Sequence, residues 1–303
     1  MACICIGLIC FIYYCHCMAS QKRTSRKAII ILNILLWIVF TYLSAAICLR
    51  GYVSNHLPLS NGFETMQFMA WCTLLLTFLL QRKFAMLLPF GFLLCGLTLM
   101  VSMLGESNPQ ITQLMPVLQS PLLSIHVVVI MIAYSLLAFI MLNGVTAVIL
   151  HQSQKGCKEQ IERLQIISQI ILYPAIFLLA IGIFIGAVWA NVSWGRYWGW
   201  DPKETWALIT MVIYAIVTHL HLIKRCNSLW LFNVTSVIAF SSVLMTFFGV
   251  NYFLSGMHSY GQNEHVNNIL IYLYLAFGII IVLAMLSYRS WKKNPERRRK
   301  YDK

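Results

Sequence analysis

Residues 166–190 read IISQIILYPAIFLLAIGIFIGAVWA, an apolar run without a charged side chain. About 20 such residues suffice for a helix to cross the hydrocarbon core of a bilayer, so this run predicts a transmembrane helix. Eight further apolar runs flank it along the chain. The nine predicted spans lie at about 2–18, 28–49, 63–80, 84–103, 122–150, 166–190, 206–223, 229–253 and 269–288. The sequence therefore predicts an all-α, polytopic transmembrane helix bundle of about nine spans, with residues 1–303 forming a single integral membrane domain.

The composition excludes other classes of protein. Hydrophobic residues make up 60% of the 303 residues and charged residues only 10%, which fits no soluble globular domain. The net charge of +13 does not indicate nucleic-acid binding, because the basic residues separate apolar runs instead of collecting on one wet face. The ten Cys show no CxxC motif and no zinc-like spacing with His, so we interpret them as packing residues.

The basic residues predict the orientation of the chain. Nineteen of the 22 Lys and Arg residues fall after odd-numbered spans, and only Arg50, Arg196 and Lys203 fall on the opposite side. Because short cytoplasmic loops retain positive charge, the side with 19 basic residues is predicted to be cytoplasmic. The N-terminus is then outside, and residues 289–303 form a basic cytoplasmic tail.

One outer loop, residues 191–205, does not resemble a simple linker. The stretch 189–206 reads WANVSWGRYWGWDPKETW and contains five of the nine Trp residues, together with the cations Arg196 and Lys203. Aromatic faces and cations in one place suit a flat apolar ligand that carries acidic groups. An interfacial aromatic belt is the simpler interpretation, but a belt is spread over many helix ends. A transporter of a non-haem organic anion could use the same side chains and is the alternative function.

Three histidines lie where they could ligate haem iron, for which imidazole is the usual axial ligand. His126 lies near the outer end of the fifth span, and His258 follows the eighth span, also outside. His219 lies about 22 Å from the outer surface by helical rise, and His221 lies nearer the cytoplasmic headgroups. An ionisable side chain inside the bilayer indicates a ligand site or a pathway, which favours His219 over His221.

The segment WGRYWGWD, residues 194–201, followed by PKETWALI, resembles the WWD signature of haem-handling proteins and, more narrowly, its CcsA/ResC branch of system II cytochrome c biogenesis. Four other segments resemble this family in the same order along the chain, and residues 56–288 form the matching core. These segments are PLSNGFETMQFMAW (58–71), MPVLQSPLLSIHV (115–127), GAVWANVSWG (186–195) and GMHSYG (256–261).

The resemblance implies a haem-binding site on the outer face. Haem b would be held by the WWD loop, with His126 and His258 as the two external axial ligands and His219 as a transmembrane ligand. Where the family's continuation resembles HTR, this chain has HLH at residues 219–221, which leaves His221 open as the inner ligand. The loop residues implied are Trp194, Gly195, Arg196, Trp198, Trp200, Asp201 and Lys203.

The implied function is haem delivery for covalent attachment to the CxxCH motif of apocytochrome c. A CcsB/ResB-type membrane protein would be the partner, and cytochrome c synthetase (haem lyase) activity would belong to the complex with that partner. The resemblance implies the bacterial inner membrane or the plastid thylakoid as the location. The sequence offers no obvious nucleophile or general acid beside the Trp-rich loop, so the role expected of the chain is to position haem against incoming thiols.

Overall fold

The computed structural model describes residues 2–105, 111, 120–152, 158–223, 228–254, 256, 278, 281–282 and 285–288, apart from residues 21, 23, 83 and 85. Within these ranges the chain is almost entirely helical and contains no strand. The α-helices are α1 (Ala2–Ala19), α2 (Arg26–Ser54), α3 (Gly62–Leu80), α4 (Leu87–Gly105), α5 (Pro121–Gln152), α6 (Lys158–Trp194), α7 (Pro202–His219), α8 (Leu229–Leu244) and α9 (Val250–Phe253).

The prediction of a polytopic helical membrane protein is confirmed. Seven helices in the described part of the chain are long and apolar enough to cross a membrane, and Leu87–Met103 is a shorter apolar helix. The ninth predicted span, 269–288, lies mostly outside the described residues. Near its end, the indole nitrogen of Trp230 donates to the Ser287 hydroxyl at 2.8 Å, and the Trp230 and Tyr288 rings lie 5.2 Å apart.

Helix α6 is longer than the predicted span 166–190, because it begins at Lys158 and ends at Trp194. Its first turns carry two i,i+4 ion pairs, between Lys158 and Glu162 and between Glu159 and Arg163. Such pairs support a helix in water, so the polar residues predicted to form a linker continue the helix instead. At the other end only residues 195–201 of the predicted loop 191–205 are non-helical.

The bundle is centred on α5, whose middle turns are buried. α5 packs mainly against α6 and α8, while α1 packs against α4 and α3 lies between α4 and α5. Close approach of α1 and α4 depends on glycine: a Cβ on Gly7 would lie 2.7 Å from the Leu93 Cα, and one on Gly96 would lie 2.6 Å from the Ile4 backbone nitrogen. Small residues that let helix backbones approach are typical of packing between membrane helices.

Helix α8 continues into α9 through a single π turn, Met245–Gly249. The Thr246 hydroxyl in this turn lies 2.7 Å from the Ser242 carbonyl and 2.9 Å from the Thr210 hydroxyl of α7. π turns inside α-helices are frequent near functional sites, and this one packs against the first half of α7. The Trp-rich loop lies just before that helix.

Candidate functional site: the tryptophan-rich loop and its histidines

The loop that joins α6 to α7 is short and tightly bent. Gly195 ends α6 with φ of +73°, and its backbone N–H donates to the Asn191 carbonyl at 2.9 Å. A glycine in the left-handed conformation is the usual residue that ends a helix. Trp200 also has a positive φ, 56°, which is costly for a residue with a Cβ.

A capping box at the start of α7 holds the other end of the loop. The Asp201 carboxylate accepts from the Lys203 backbone N–H at 3.1 Å. The Glu204 carboxylate accepts from the Gly199 N–H at 2.8 Å and from the Asp201 N–H at 3.3 Å. These bonds satisfy backbone donors that have no partner inside the helix and place negative charge at its positive end. Two carboxylates thus fix the backbone from Gly199 to Lys203.

The Trp side chains of the loop fall into two pairs. Trp189 is buried on the last turns of α6, and its ring lies 4.8 Å from that of Trp194. Trp198 and Trp200 meet edge to face at 5.9 Å, and 74% of Trp200 is exposed. Because the backbone of Trp200 is fixed by its neighbours, its ring projects from a rigid loop. This arrangement presents an aromatic face to a ligand at little cost in conformational entropy.

The two predicted outer cations sit beside these rings in different environments. Arg196 is exposed, and its guanidinium folds over Gly199, where a Cβ would lie 2.8 Å from the Arg196 Cζ. Lys203 is partly buried, and its ammonium donates to the Asn251 side-chain oxygen of α9 at 2.9 Å. Lys203 therefore links the start of α7 to α9, the short helix that follows the π turn.

His126 lies on α5 and packs against two glycines of α6. Its Nδ1 lies 2.7 Å from the Gly182 carbonyl, and a Cβ on Gly186 would lie 2.7 Å from its Cε1. Because a carbonyl only accepts, Nδ1 carries the proton and Nε2 carries the lone pair. A backbone partner of this kind orients an imidazole and sets its tautomer for ligation through Nε2. Gly186 lies one turn before Trp189 on α6. His126, which packs on Gly186, therefore lies deeper in the bundle than the pair formed by Trp189 and Trp194.

His258 lies outside the described residues, but Gly256 lies two residues before it. A Cβ on Gly256 would lie 2.6 Å from the Asp201 Oδ1 and 3.1 Å from the Pro202 Cδ. Gly256 therefore lies directly against the cap of α7. The structure brings Gly256 together with the end of the Trp-rich loop.

His219 and His221 lie at the opposite end of α7. His219 is the last residue of α7, 17 residues after Pro202, which corresponds to about 26 Å of helical rise. Both side chains are exposed, and each Nδ1 lies within 2.9 Å of a backbone carbonyl, that of Ala215 for His219 and that of Thr218 for His221. Both imidazoles thus present Nε2 at the surface of the bundle, and the structure does not separate them.

Several residues that hold the site were not predicted. Glu204 was recognisable from the pattern Asp-Pro-Lys-Glu at residues 201–204, in which an N-cap Asp precedes Pro at the first helical position and Glu at the third. Gly182 and Gly186 form a small-xxx-small pattern, which indicates close helix packing but not which residue fills the notch. Asn251 carries no local signal.

Residues 59–258 match the family described as Cytochrome C assembly protein, a range that contains the loop, His126 and His219 and ends at His258. The protein NrfI of Wolinella succinogenes is 38% identical over 244 residues, which cover 79% of this chain and 27% of NrfI. The cytochrome c biogenesis protein CcsA of Chlamydomonas reinhardtii is 36% identical over 80% of this chain and 71% of its own length. CcsA of Mesostigma viride is 34% identical over 75% of this chain and 85% of its own.

The chain thus spans about a quarter of NrfI but most of the two CcsA proteins. The described part contains no cluster of three or more His, Cys, Asp or Glu side chains that could hold a metal ion by themselves. The chain belongs to the cytochrome c assembly protein family, on its CcsA branch.

Proposed function

We propose that this protein holds haem b as a substrate on the outer face of the membrane and presents it to the CxxCH motif of apocytochrome c. The observation that carries the proposal is the Trp-rich loop itself, whose backbone two carboxylates fix. The His126 imidazole supports it, because it packs on α6 at Gly186, one turn before Trp189. The proposed membrane is a bacterial inner membrane or a plastid thylakoid, with the N-terminus outside and the C-terminus cytoplasmic.

The loop matches the shape and charge of haem. The macrocycle is flat and apolar and would lie against Trp194, Trp198 and Trp200, which lie within seven residues of each other. Its two propionates are acidic and would pair with Arg196 and Lys203. Asp201 and Gly195 act on the backbone: the first caps α7 and the second ends α6. Their contribution is to fix the ring positions.

His126 and His258 are the proposed external axial ligands. The Gly182 carbonyl holds the His126 ring through Nδ1, which supports ligation of iron through Nε2. The position of Gly256 against Asp201 supports an approach of His258 to the same loop. Two imidazoles on one iron form the low-spin, six-coordinate state that an absorption spectrum detects.

The chemistry of attachment needs position more than acid or base. A cysteine S–H of the acceptor adds across a vinyl group of haem: the sulfur bonds to one vinyl carbon and a hydrogen is added to the other, without an external oxidant. The loop would hold the vinyl edge in reach of the thiols and limit its motion. Haem lyase activity is proposed only for the complex with a CcsB/ResB-type partner.

The partner would complete the inner site. His219 and His221 are exposed at the surface of the bundle, so a second chain can reach either of them. We propose His219 as the inner ligand because it lies on α7 itself, deeper than His221. Haem held there would load the outer site.

The test is the absorption spectrum of the detergent-purified protein, expressed with and without its partner. The native chain is expected to show a low-spin Soret band that weakens in His126→Ala and His258→Ala and returns on addition of imidazole. His56→Ala is the matched control, because His56 lies in the segment before α3 and its exposed imidazole contacts the backbone carbonyl of its neighbour Leu57 at 2.9 Å. A colourless native protein, purified with partner and haem supplied, would overturn the proposal and favour an organic-anion transporter.

A further inference from the structure

A cavity of about 700 Å³ lies between α1, α2, α3 and α4, at the opposite end of the bundle from the Trp-rich loop. Its walls include Gln81 and Arg82, which follow α3, whereas the outer end of α3 is Gly62, about 28 Å away by helical rise. A volume of this size lies within the range of small-molecule sites. We call it the basic-end cavity, and nothing in the proposed haem site uses it.

The polar end of the basic-end cavity contains groups that lack partners among the described residues. The Tyr14 hydroxyl is buried, with 3% of the residue exposed, and has no hydrogen-bond partner there. Arg82 is exposed and forms no ion pair with any residue that the structure describes. A buried hydroxyl without a partner is costly, so a bound acceptor would stabilise this site.

The rest of the cavity is apolar and aromatic. The Trp37 and Phe78 rings lie 4.6 Å apart, and the Phe40 and Phe78 rings lie 5.2 Å apart. Trp37 is 58% exposed, so this wall opens sideways from the bundle toward the bilayer. A hydrocarbon chain fits such a wall, and it can enter from the lipid without crossing the protein.

The charge around the cavity is of one sign. Among the first 105 residues of the sequence the only acidic residue is Glu64. It lies at the outer end of α3 and is paired with Arg50 at 2.7 Å. At the cavity end, Arg26 and Lys27 at the exposed start of α2 add to the charge of Arg82. No carboxylate in the first four helices can neutralise this end, which therefore attracts an anion.

We infer that the basic-end cavity binds an anionic phospholipid from the leaflet that adjoins it. The phosphate accepts from the Arg82 guanidinium and the Tyr14 hydroxyl, and one acyl chain lies along Trp37, Phe40 and Phe78. A phospholipid is the ligand with both an acidic head and a long apolar body that is always present at this depth of the membrane. The inference rests on the membrane fold and not on haem binding.

Native mass spectrometry in detergent tests the binding of an anionic phospholipid in the basic-end cavity. The probes are phosphatidylglycerol and phosphatidylcholine with identical acyl chains. We expect the native protein to bind phosphatidylglycerol at least about fivefold more tightly. Arg82→Gln and Tyr14→Phe should each remove most of that preference, and Trp37→Ala should weaken both lipids alike. Arg163→Gln is the control, since Arg163 is an exposed cation on α6 paired with Glu159.

Two outcomes would overturn the inference. The first is equal binding of the two lipids to the native protein, to which an effect of Arg163→Gln as large as that of Arg82→Gln is equivalent, because both show that Arg82 confers no preference for the anionic lipid. The second is displacement of phosphatidylglycerol by hemin from the native protein but not from Arg82→Gln, which would assign the cavity to haem. Arg82→Gln changes an exposed side chain and Tyr14→Phe removes only a hydroxyl, so both variants decide the question even if Trp37→Ala does not fold. The Soret band of each variant, measured in the same samples, reports the haem site separately.

Discussion

At the scale of single residues, Trp200 combines an exposed aromatic ring with a strained backbone. Its ring is largely exposed, and its backbone has a φ of 56°, which costs on the order of 1 kcal/mol for a residue with a Cβ. Strain of this kind persists where the surrounding contacts enforce it, and here Glu204 binds the backbone on either side of Trp200.

Trp200→Gly separates the contribution of the Trp200 ring from the strain of its backbone. Glycine adopts a positive φ freely, so the apparent melting temperature of the purified protein should stay the same or rise, while haem retention falls because the ring is lost. Trp200→Ala removes the same ring but keeps the Cβ, so it should melt at a lower temperature than Trp200→Gly. If both variants retain haem as the native protein does, the ring is not part of the haem site.

Glu204 is expected to be essential to the loop without touching the ligand. Glu204→Ala removes the acceptor of the Gly199 and Asp201 N–H groups and half of the capping box, at a cost of about 1–2 kcal/mol. We expect a lower melting temperature together with a weaker Soret band. Glu162→Ala, which breaks an exposed pair on α6, is the control and should change neither measurably. A native Soret band in Glu204→Ala would contradict the role assigned to the capping box.

At the scale of helices, the contact between α5 and α6 positions His126. His126 and Ile130 lie one turn apart on α5 and pack onto Gly186 and Gly182 of α6, which also lie one turn apart. The glycines let the two backbones approach, so that the Gly182 carbonyl reaches the imidazole Nδ1. The position of the His126 imidazole, the proposed axial ligand, therefore depends on the notch that Gly182 and Gly186 leave on the surface of α6.

Gly186→Ala tests this notch. The new Cβ would lie 2.7 Å from the His126 Cε1, so the ring must move. Loss of support of this kind typically weakens metal ligation about tenfold or more, and haem retention should fall by a similar factor, with recovery on addition of imidazole. Gly62→Ala is the matched control, because nothing lies within 4 Å of the position of its Cβ. Equal haem spectra for the two variants would refute the positioning role.

The outer ends of α2 and α3 are joined by a buried ion pair between Arg50 and Glu64, whose side chains are 13% and 3% exposed. The Glu64 carboxylate also accepts from the backbone and the hydroxyl of Ser60, and Asn61 caps α3 by accepting from the Glu64 N–H. The Arg50 guanidinium further lies 5.3 Å from the centre of the Phe63 ring. Glu64 thus holds the segment before α3 as well as α2.

Glu64→Ala should destabilise the protein by about 3 kcal/mol, because it leaves the Arg50 charge buried without its carboxylate. Thermal unfolding in detergent, followed by the fluorescence of a thiol dye, gives the shift in melting temperature. The double variant Arg50→Met/Glu64→Leu should recover much of the loss. Glu159→Ala removes one partner of an exposed pair on α6 and is expected to shift the melting temperature little. A double variant as unstable as Glu64→Ala would show that the pair itself, not the unpaired charge, matters.

At the scale of the whole molecule, the two ends of the bundle differ in chemistry. One end carries the Trp-rich loop, Asp201 and Glu204. The other carries His219, His221 and the basic-end cavity. The proposed function, in which haem held at the inner site loads the outer one, requires such a difference between the two ends.

The proposed orientation predicts the behaviour of reporter fusions. A fluorescent protein that matures only in the cytoplasm should be bright when fused after residue 303 and dark when fused after residue 198. Alkaline phosphatase, which is active only outside, should give the reverse pattern. Fusion after residue 152, at the end of α5, is the internal control and should match residue 303. Phosphatase activity at residue 303 would reverse the assignment of the two faces.

The sequence by itself determined the helical membrane fold and the Trp-rich loop. Hydrophobicity and charge act locally, because a bilayer demands long apolar helices whose backbone groups bond within the same segment. The same reasoning did not predict where α6 begins, since ion pairs extended it past the apolar run. Nor did it predict that Asp201 and Glu204 bind backbone groups of the loop.

Only the tertiary structure decided which distant residues meet. The bond from His126 to Gly182 joins residues 56 positions apart, and that from Lys203 to Asn251 joins residues 48 positions apart. The basic-end cavity is formed by four helices, none of which carries a signal for it alone. Such contacts depend on the rotation of each helix about its axis and on how closely two helices approach. In a bilayer, side-chain packing and small residues set both quantities, because all faces of these helices are apolar. A hydrophobic pattern without a polar face cannot specify which face meets a neighbour.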